Sequence, residues 1–332
     1  MRAIIAREPG GIDVLEMINM PTPDPGPGEV RIKVRASAVN RADILQRQGR
    51  YPVPPDAGPV LGLEAAGTID AIGADVSGWT VGDRAMALLS HGGYAEYVVV
   101  PAGQVLRVPD NLNWILAAAV PEVFMTAWQA LGQQTPAVAG DWVLVHAGAS
   151  GVGTAALQIA RQLGAHTIAT TRSPDKAELI ADLADHVVIP AGADFADRVM
   201  ELTDHHGADV IVDLVGAAYW AENLRALALD GAIALIGLVG GARADLDLSA
   251  LLARRATIVA STLRPRSTAQ KSELVASFAE WGLPRLADGR LRPMVHDMVP
   301  LTRVGDAHVE VERDRSVGKV VLAISEDGLV AM

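Results

Sequence analysis

The chain of 332 residues contains no cysteine. Disulfides, thiolate nucleophiles, cysteine-ligated zinc and iron–sulfur centres are thereby excluded. Basic residues are in deficit, with 28 Lys and Arg against 39 Asp and Glu and a formal charge of −11. Nucleic acid and anionic membranes reward clustered cations, so neither is expected as a partner. The pairs Arg254-Arg255 and Arg264 with Arg266 read as solvated faces or loop anchors. The most apolar stretches, such as 115–120 and 231–241, fall well short of a membrane span. The opening MRAIIAREPGG has too short an apolar run for a signal peptide and reads as a strand. No repeat or low-complexity tract appears. The expectation is a soluble, cytoplasmic protein.

Half of the residues are hydrophobic, enough for sizeable cores, and the length suggests two domains. The first 110 residues hold short β-type segments, clearest at 30–36, 67–72, 84–89 and 94–100. Between them lie proline- and glycine-rich joints, PTPDPGPGE and YPVPPDAGPVLG. This spacing predicts a twisted, barrel-like β unit. After about residue 120 the rhythm changes. Strand candidates at 142–146, 167–171, 186–189, 209–215, 232–236 and 257–262 alternate with helical stretches at 153–164, 174–184, 195–205, 218–229 and 246–254. Six strands with helical crossovers describe a doubly wound parallel sheet. From about residue 286 the elements shorten again, and GKVVLAI reads as a strand that completes the first domain's sheet.

The stretch HAGASGVGTAA, 146–156, stands where the first parallel strand meets its helix. Read as a hydrolase nucleophile elbow, it lacks the second glycine, because Val152 occupies that position. The histidines that would complete a triad (His166, His186, His205, His206, His296, His308) sit in no distinctive motif and read mostly as surface or loop residues. Read as G-x-G-x-x-G, it places Gly148, Ser150, Gly151, Val152 and Gly153 around a pyrophosphate at the helix start, with Ser150 able to donate to that phosphate. A glycine-rich turn that binds nothing is the bland alternative. The second strand ends TTRSPDK. Arg172 and Ser173, with Lys176 one turn on, suit a 2′-phosphate, so NADPH is expected over NADH. Ordinary surface charge would also explain the two cations. Asp175, after Pro174, is expected to cap the next helix.

These residues, with NRADILQRQGRYPVPP, LGLEAAG, AGASGVG, YW…N…LALDG and a terminal GK.VL, make the chain resemble the medium-chain dehydrogenase/reductase superfamily over residues 30–322. More narrowly it resembles the zinc-free quinone oxidoreductase branch, and within that the p53-inducible quinone reductase type. The resemblance implies a GroES-like catalytic domain, 1–121 with 287–332, around a Rossmann domain, 122–286. It also implies NADPH-dependent reduction of quinones or related activated carbonyl compounds by direct hydride transfer. An enone or 2-alkenal reductase is the runner-up, and a low-turnover, crystallin-like or regulatory NADPH-binding protein is a third reading. A homodimer is expected through the edge strand 257–262.

Zinc-dependent relatives carry Cys and Gly-His-Glu where this chain reads Ala38-Val39-Asn40 and Gly62-Leu63-Glu64. No metal is therefore expected, and Glu64 should be a structural carboxylate. By family match Tyr51 lies near nicotinamide and substrate, either orienting substrate and relaying a proton or serving as an aromatic wall. Asn40 is a neighbour of the nicotinamide, an N-cap for RADILQRQ, or both. Thr126 either reaches the cofactor or satisfies local backbone. Backbone at Gly237, Leu238 and Val239 would meet the carboxamide. Lys319 matches a position near the cofactor, and a surface lysine is the alternative. Relatives often carry an Asn-Tyr pair whose tyrosine contacts the 2′-phosphate. Ile189-Pro190 stands there instead, which leaves Arg172, Ser173 and Lys176 to hold that phosphate.

Overall fold

The structure, a computed structural model, describes residues 1–54 and 57–325. The tip of the proline-rich joint, Pro55-Asp56, and the end of the expected 287–332 segment lie outside the described residues. Contacts divide the chain into two compact units, Met1–Met125 with Leu263–Met332, and Thr126–Thr262. These divisions fall at other positions than the expected joints at 121/122 and 286/287. The helix Thr268–Ala287 packs on the turn Ala102–Gln104 of the first unit, where Ser272 closes over Gly103.

The first unit opens with an antiparallel pair, β1 (Arg2–Ala6) and β2 (Leu15–Asn19). Then come β3 (Glu29–Ala38), β4 (Glu64–Ile72), β5 (Arg84–Leu88), β6 (Tyr97–Pro101) and β7 (Val105–Arg107). Along β3, Val30, Ile32, Val34 and Ala36 are buried at alternate positions, the period of a strand with one face on a core. At Ala36-Ser37-Ala38 the alternation stops and every residue is buried.

The second unit holds β8 (Trp142–Val145), β9 (His166–Thr170), β10 (His186–Val188), β11 (Ala208–Asp213), β12 (Leu227–Leu235) and β13 (Thr257–Ala260). All pair in parallel, in the order β10-β9-β8-β11-β12-β13. This is the expected doubly wound sheet, with its topological switch point between β8 and β11. Val143, Leu144 and Val145 are each 0% exposed, as helices on both faces require. One boundary differs from expectation. The stretch 218–229 reads as helix, but the helix Trp220–Ala226 stops and Leu227 pairs with Ala208. The register then shifts before Val210, and Asp230 takes φ 64°. Strand pairing overrides the helical spacing there.

The chain returns to the first unit with β14 (Val295–Pro300) and β15 (Lys319–Ala323). β3 pairs with β4 on one edge. On its other edge it pairs first with β6, over Glu29–Lys33, and then with β15, over Ala36–Ala38. The terminal GKVVLAI thus completes the first unit's sheet as expected. No helix among the described residues is long and apolar enough to cross a membrane.

Candidate functional site

β8 delivers the chain into the glycine-rich turn, and the helix Gly151–Gln162 leaves it. Ser150 is the N-cap, with extended backbone at φ −71°, ψ 166°. Its Oγ accepts from the Gly153 N–H at 3.0 Å, so the hydroxyl proton remains available to donate. Gly148 N–H donates to Thr170 O at 2.8 Å and ties the turn to β9. A Cβ on Gly153 would lie 2.4 Å from Ala147 O, and one on Gly148 would lie 2.8 Å from Ala169 Cβ. Both glycines are therefore required for the helix to approach the strands this closely. The first N–H groups of a helix have no partner within it and stand at its positive end, which suits a pyrophosphate. The cradle fits a dinucleotide.

Beneath the turn lies a buried chain of polar groups that the sequence does not announce. Asn223 Nδ2 donates to Asp213 Oδ2 at 2.9 Å, which turns Asn223 Oδ1 toward His146 Nε2, 2.6 Å away. His146 Nε2 therefore carries the proton, and Nδ1 accepts from the Thr170 hydroxyl at 2.9 Å. Burial pulls the His146 pKa down, so the ring is neutral. Asp213 Oδ1 accepts from Val215 and Gly216 N–H at 2.7 and 2.9 Å. The strand ends around the switch point are thus joined through side chains.

After β9, Ser173 and not Asp175 caps the helix Pro174–Leu179, its Oγ accepting from Lys176 N–H at 3.4 Å. Pro174 takes the first helical position, so Asp175 falls inside the first turn, too late to cap. Arg172 is exposed, and its charge opposes the rise that burial imposes on the Tyr219 phenol. Beyond β12, Leu238 and Val239 are 52% and 61% exposed. Gly237 and Val239 N–H are held by Asp213 and Leu214 carbonyls, at 3.2 and 3.4 Å. Thr126 lies on the helix Pro121–Trp128, just before a π-helical turn, Gln129–Gln134.

In the first unit a second set of polar groups converges. Lys319, 4% exposed and so no surface lysine, donates from Nζ to Glu64 Oε1 at 2.8 Å, Asn40 Oδ1 at 2.6 Å and Val39 O at 2.9 Å. Asn40 Nδ2 donates to the same Glu64 oxygen at 2.9 Å, and Glu122 N–H donates to Oε2 at 2.9 Å. Glu64 is the structural carboxylate expected. Asn40 also occupies the N-cap position of the helix Arg41–Arg47, where its N–H donates to Asp43 Oδ2 at 2.8 Å. The donor set does not fit zinc: Leu63 offers no lone pair, and the Glu64 oxygens are taken up by an ammonium, an amide and a backbone N–H.

Asp43 accepts further from Tyr94 OH at 3.1 Å, and His308 Nε2 lies 3.4 Å from that hydroxyl. His308 is 0% exposed, which corrects its reading as a surface or loop residue: the helix Val304–Glu312 turns it inward against Tyr94 and Arg47. Burial, reinforced by the Arg47 charge, drops it to about 3. Burial raises Asp43 to about 6 and, with Glu64's charge beside it, Glu122 to about 8. Tyr51 lies under the guanidinium of Arg264, 5.6 Å from ring centre to Cζ. Burial, then Glu122's charge, raises its phenol, which stays protonated at neutral pH. Of these groups, Asp43 had a sequence signal, the Asn-x-x-Asp spacing of a capping box. Glu122 and Arg264 had none.

Comparison with known proteins bears on both units. Residues 26–110 match the alcohol dehydrogenase GroES-like domain family and residues 151–280 the zinc-binding dehydrogenase family. A quinone oxidoreductase of Pseudomonas aeruginosa is 32% identical over 317 residues, covering 94% of this chain and 96% of that protein. A mycocerosic acid synthase-like polyketide synthase of Mycobacterium tuberculosis is 36% identical over 232 residues, 70% of this chain. The aligned stretch spans 11% of the length of that synthase. Among solved structures, the mycobacterial protein Rv1454c complexed with NADPH superposes with a TM-score of 0.89 at 34% identity, covering 98% of this chain and 100% of that one. The CurK enoyl reductase superposes at 0.87 and 29% identity, covering 98% and 99%.

Proposed function

The chain belongs to the medium-chain dehydrogenase/reductase superfamily, and on that premise we propose that it is an NADPH-dependent quinone reductase working without a metal. The observation that carries this reading is the Lys319–Glu64 pair. An ammonium holds the carboxylate that a divalent ion would otherwise use, so no Lewis acid polarises the acceptor. A quinone needs little such help, because its ring delocalises the charge that reduction places on it. When bound, NADPH supplies the hydride. The protein's task is then to bind, orient and exclude competing reactions.

In this reading Gly148, Ser150, Gly151, Val152 and Gly153 hold the pyrophosphate, and Arg172, Ser173 and Lys176 hold the 2′-phosphate. Thr126 and the backbone of Gly237, Leu238 and Val239 flank the nicotinamide end. Asn40 and Lys319 fix the polar floor through Glu64, and Tyr51 orients the acceptor and donates a proton. The likeness to the CurK enoyl reductase favours a second reading, reduction of a conjugated C=C, which needs the same hydride geometry. A homodimer through β13 belongs to the proposal, since among the described residues that strand pairs on one edge only and Ile258 is 38% exposed.

NADPH consumption by the purified protein with 1,2- and 1,4-quinones and with 2-alkenals tests the assignment. Turnover of quinones is expected. Turnover of 2-alkenals alone overturns it in favour of the second reading, and NADPH binding without turnover of any acceptor points to a non-catalytic role.

A further inference from the structure

Arg264 is 2% exposed. Its Nε donates to Ser90 O at 2.7 Å, yet Nη1 and Nη2, both enclosed, have no hydrogen-bond partner among the described residues. Four of the five guanidinium N–H bonds are thus unspent in a place where water does not reach them. Buried polar groups are nearly always satisfied, and a charged one left open calls for a physical reason. The nearby acids do not supply it. Asp43 and Glu122 act on the Arg264 charge through space, but neither accepts from Nη1 or Nη2.

Several features hold the guanidinium in this state. The ring of Tyr51 lies against it at 5.6 Å, and Ser90 anchors it from β5's end. The same Ser90 accepts through Oγ from Lys271, a second buried cation on the helix Thr268–Ala287. Two cations fastened to one serine, beside a phenol that remains protonated, make a positive, donor-rich corner.

We propose that Nη1 and Nη2 of Arg264, together with the Tyr51 hydroxyl, form the seat for the acceptor oxygen that becomes anionic during reduction. The assignment rests on the reductase reading above and adds to it the group that stabilises the developing charge. Bound NADPH would give up the hydride and become NADP+; as the new bond to the acceptor forms, a π bond of the acceptor breaks and its electron pair comes to rest on oxygen. The guanidinium fork receives that oxygen through preoriented N–H donors. A proton from Tyr51, replaced from water, completes the reduced product. The donors left open in the free protein are those that the reaction requires.

The test compares wild type with Arg264→Met, Arg264→Lys and Arg264→Ala. Three quantities are read: Tm, NADPH affinity, and affinity for 4-nitrophenolate, a non-reducible anion whose absorbance reports its surroundings. Turnover of a quinone is read alongside. Removing an unpaired buried charge should leave Tm unchanged or higher. Arg264→Met should lose at least about tenfold in kcat/KM, chiefly through kcat, and a similar factor in nitrophenolate affinity, with NADPH affinity unchanged. Guanidinium ion should restore part of the Arg264→Ala rate, and Arg264→Lys should fall between. The proposal is overturned if Arg264→Met keeps kcat/KM and nitrophenolate affinity within about twofold, or if activity falls only in step with Tm. Wild type that binds nitrophenolate at Arg264 but reduces no acceptor sinks the reductase reading and leaves the anion seat standing.

Discussion

Lys319 Nζ and Glu64 Oε1 meet at 2.8 Å inside the first unit, with side chains 4% and 0% exposed. Breaking such a pair from one side strands the other charge. Lys319→Met should therefore cost about 3–5 kcal/mol in denaturant unfolding, and adding Glu64→Gln should recover part of it. Equal stability of Lys319→Met and wild type would show that the pair does not hold the cluster together.

The turn at Ser150 and Gly153 separates two kinds of damage. Ser150→Ala removes the acceptor for Gly153 N–H and should cost about 1 kcal/mol of stability. Gly153→Ala places a methyl 2.4 Å from Ala147 O and pushes helix from strand. It should cost about 1–3 kcal/mol and weaken NADPH binding more than Ser150→Ala does, as read by fluorescence titration. The reverse order of affinities would contradict the role given to the close approach.

How far the sequence reached depends on what each residue answers to. Ser150 and Gly153 answer to local geometry, a strand, a turn and a helix start, and both the doubly wound sheet and the glycine-rich turn with its helix start were legible from them. Leu227 answers to a partner strand, so its helical spacing misled. Ser173 and Asp175 were exchanged as caps because Pro174 takes the first helical position, which puts the cap two residues earlier than expected. His308, Glu122 and Arg264 take their character from burial among residues distant in sequence, for which no spacing is diagnostic. Nor does any local pattern distinguish a buried arginine with open donors from a solvated one.

Glu122 gives a pH dependence with a defined sign. Its carboxyl rises from 4.5 to about 8 through burial and then Glu64's charge. Between those values the folded chain keeps a proton that the unfolded chain has lost, so stability falls as pH rises. His308, held down at about 3, changes stability only as pH falls below 6.5, and the Asp43 window closes at about 6. Tm should therefore decline from pH 6.5 to 8, and Glu122→Gln should flatten the decline. A wild-type Tm rising across that range would refute the assignment.

Arg172 and Lys176 are proposed to meet a 2′-phosphate. Charge-assisted hydrogen bonds of this kind contribute about 1.5–3 kcal/mol each, so either alanine variant should weaken NADPH binding by roughly ten- to a hundredfold. NADH affinity should stay as it was. Calorimetric titration with both cofactors decides the matter, and equal losses for the two would remove the phosphate site.

The split partnership of β3 has a consequence for how the protein is made. Lys319 Nζ donates to Val39 O across 280 residues of chain, and β15 lies beside Ala36–Ala38. On a ribosome, β3 emerges early and must wait for β15 with half of one edge unpaired. The second unit, continuous from Thr126 to Thr262, has all six of its strands by then. The parallel sheet can thus close during synthesis, whereas the first unit closes only after β15 has emerged.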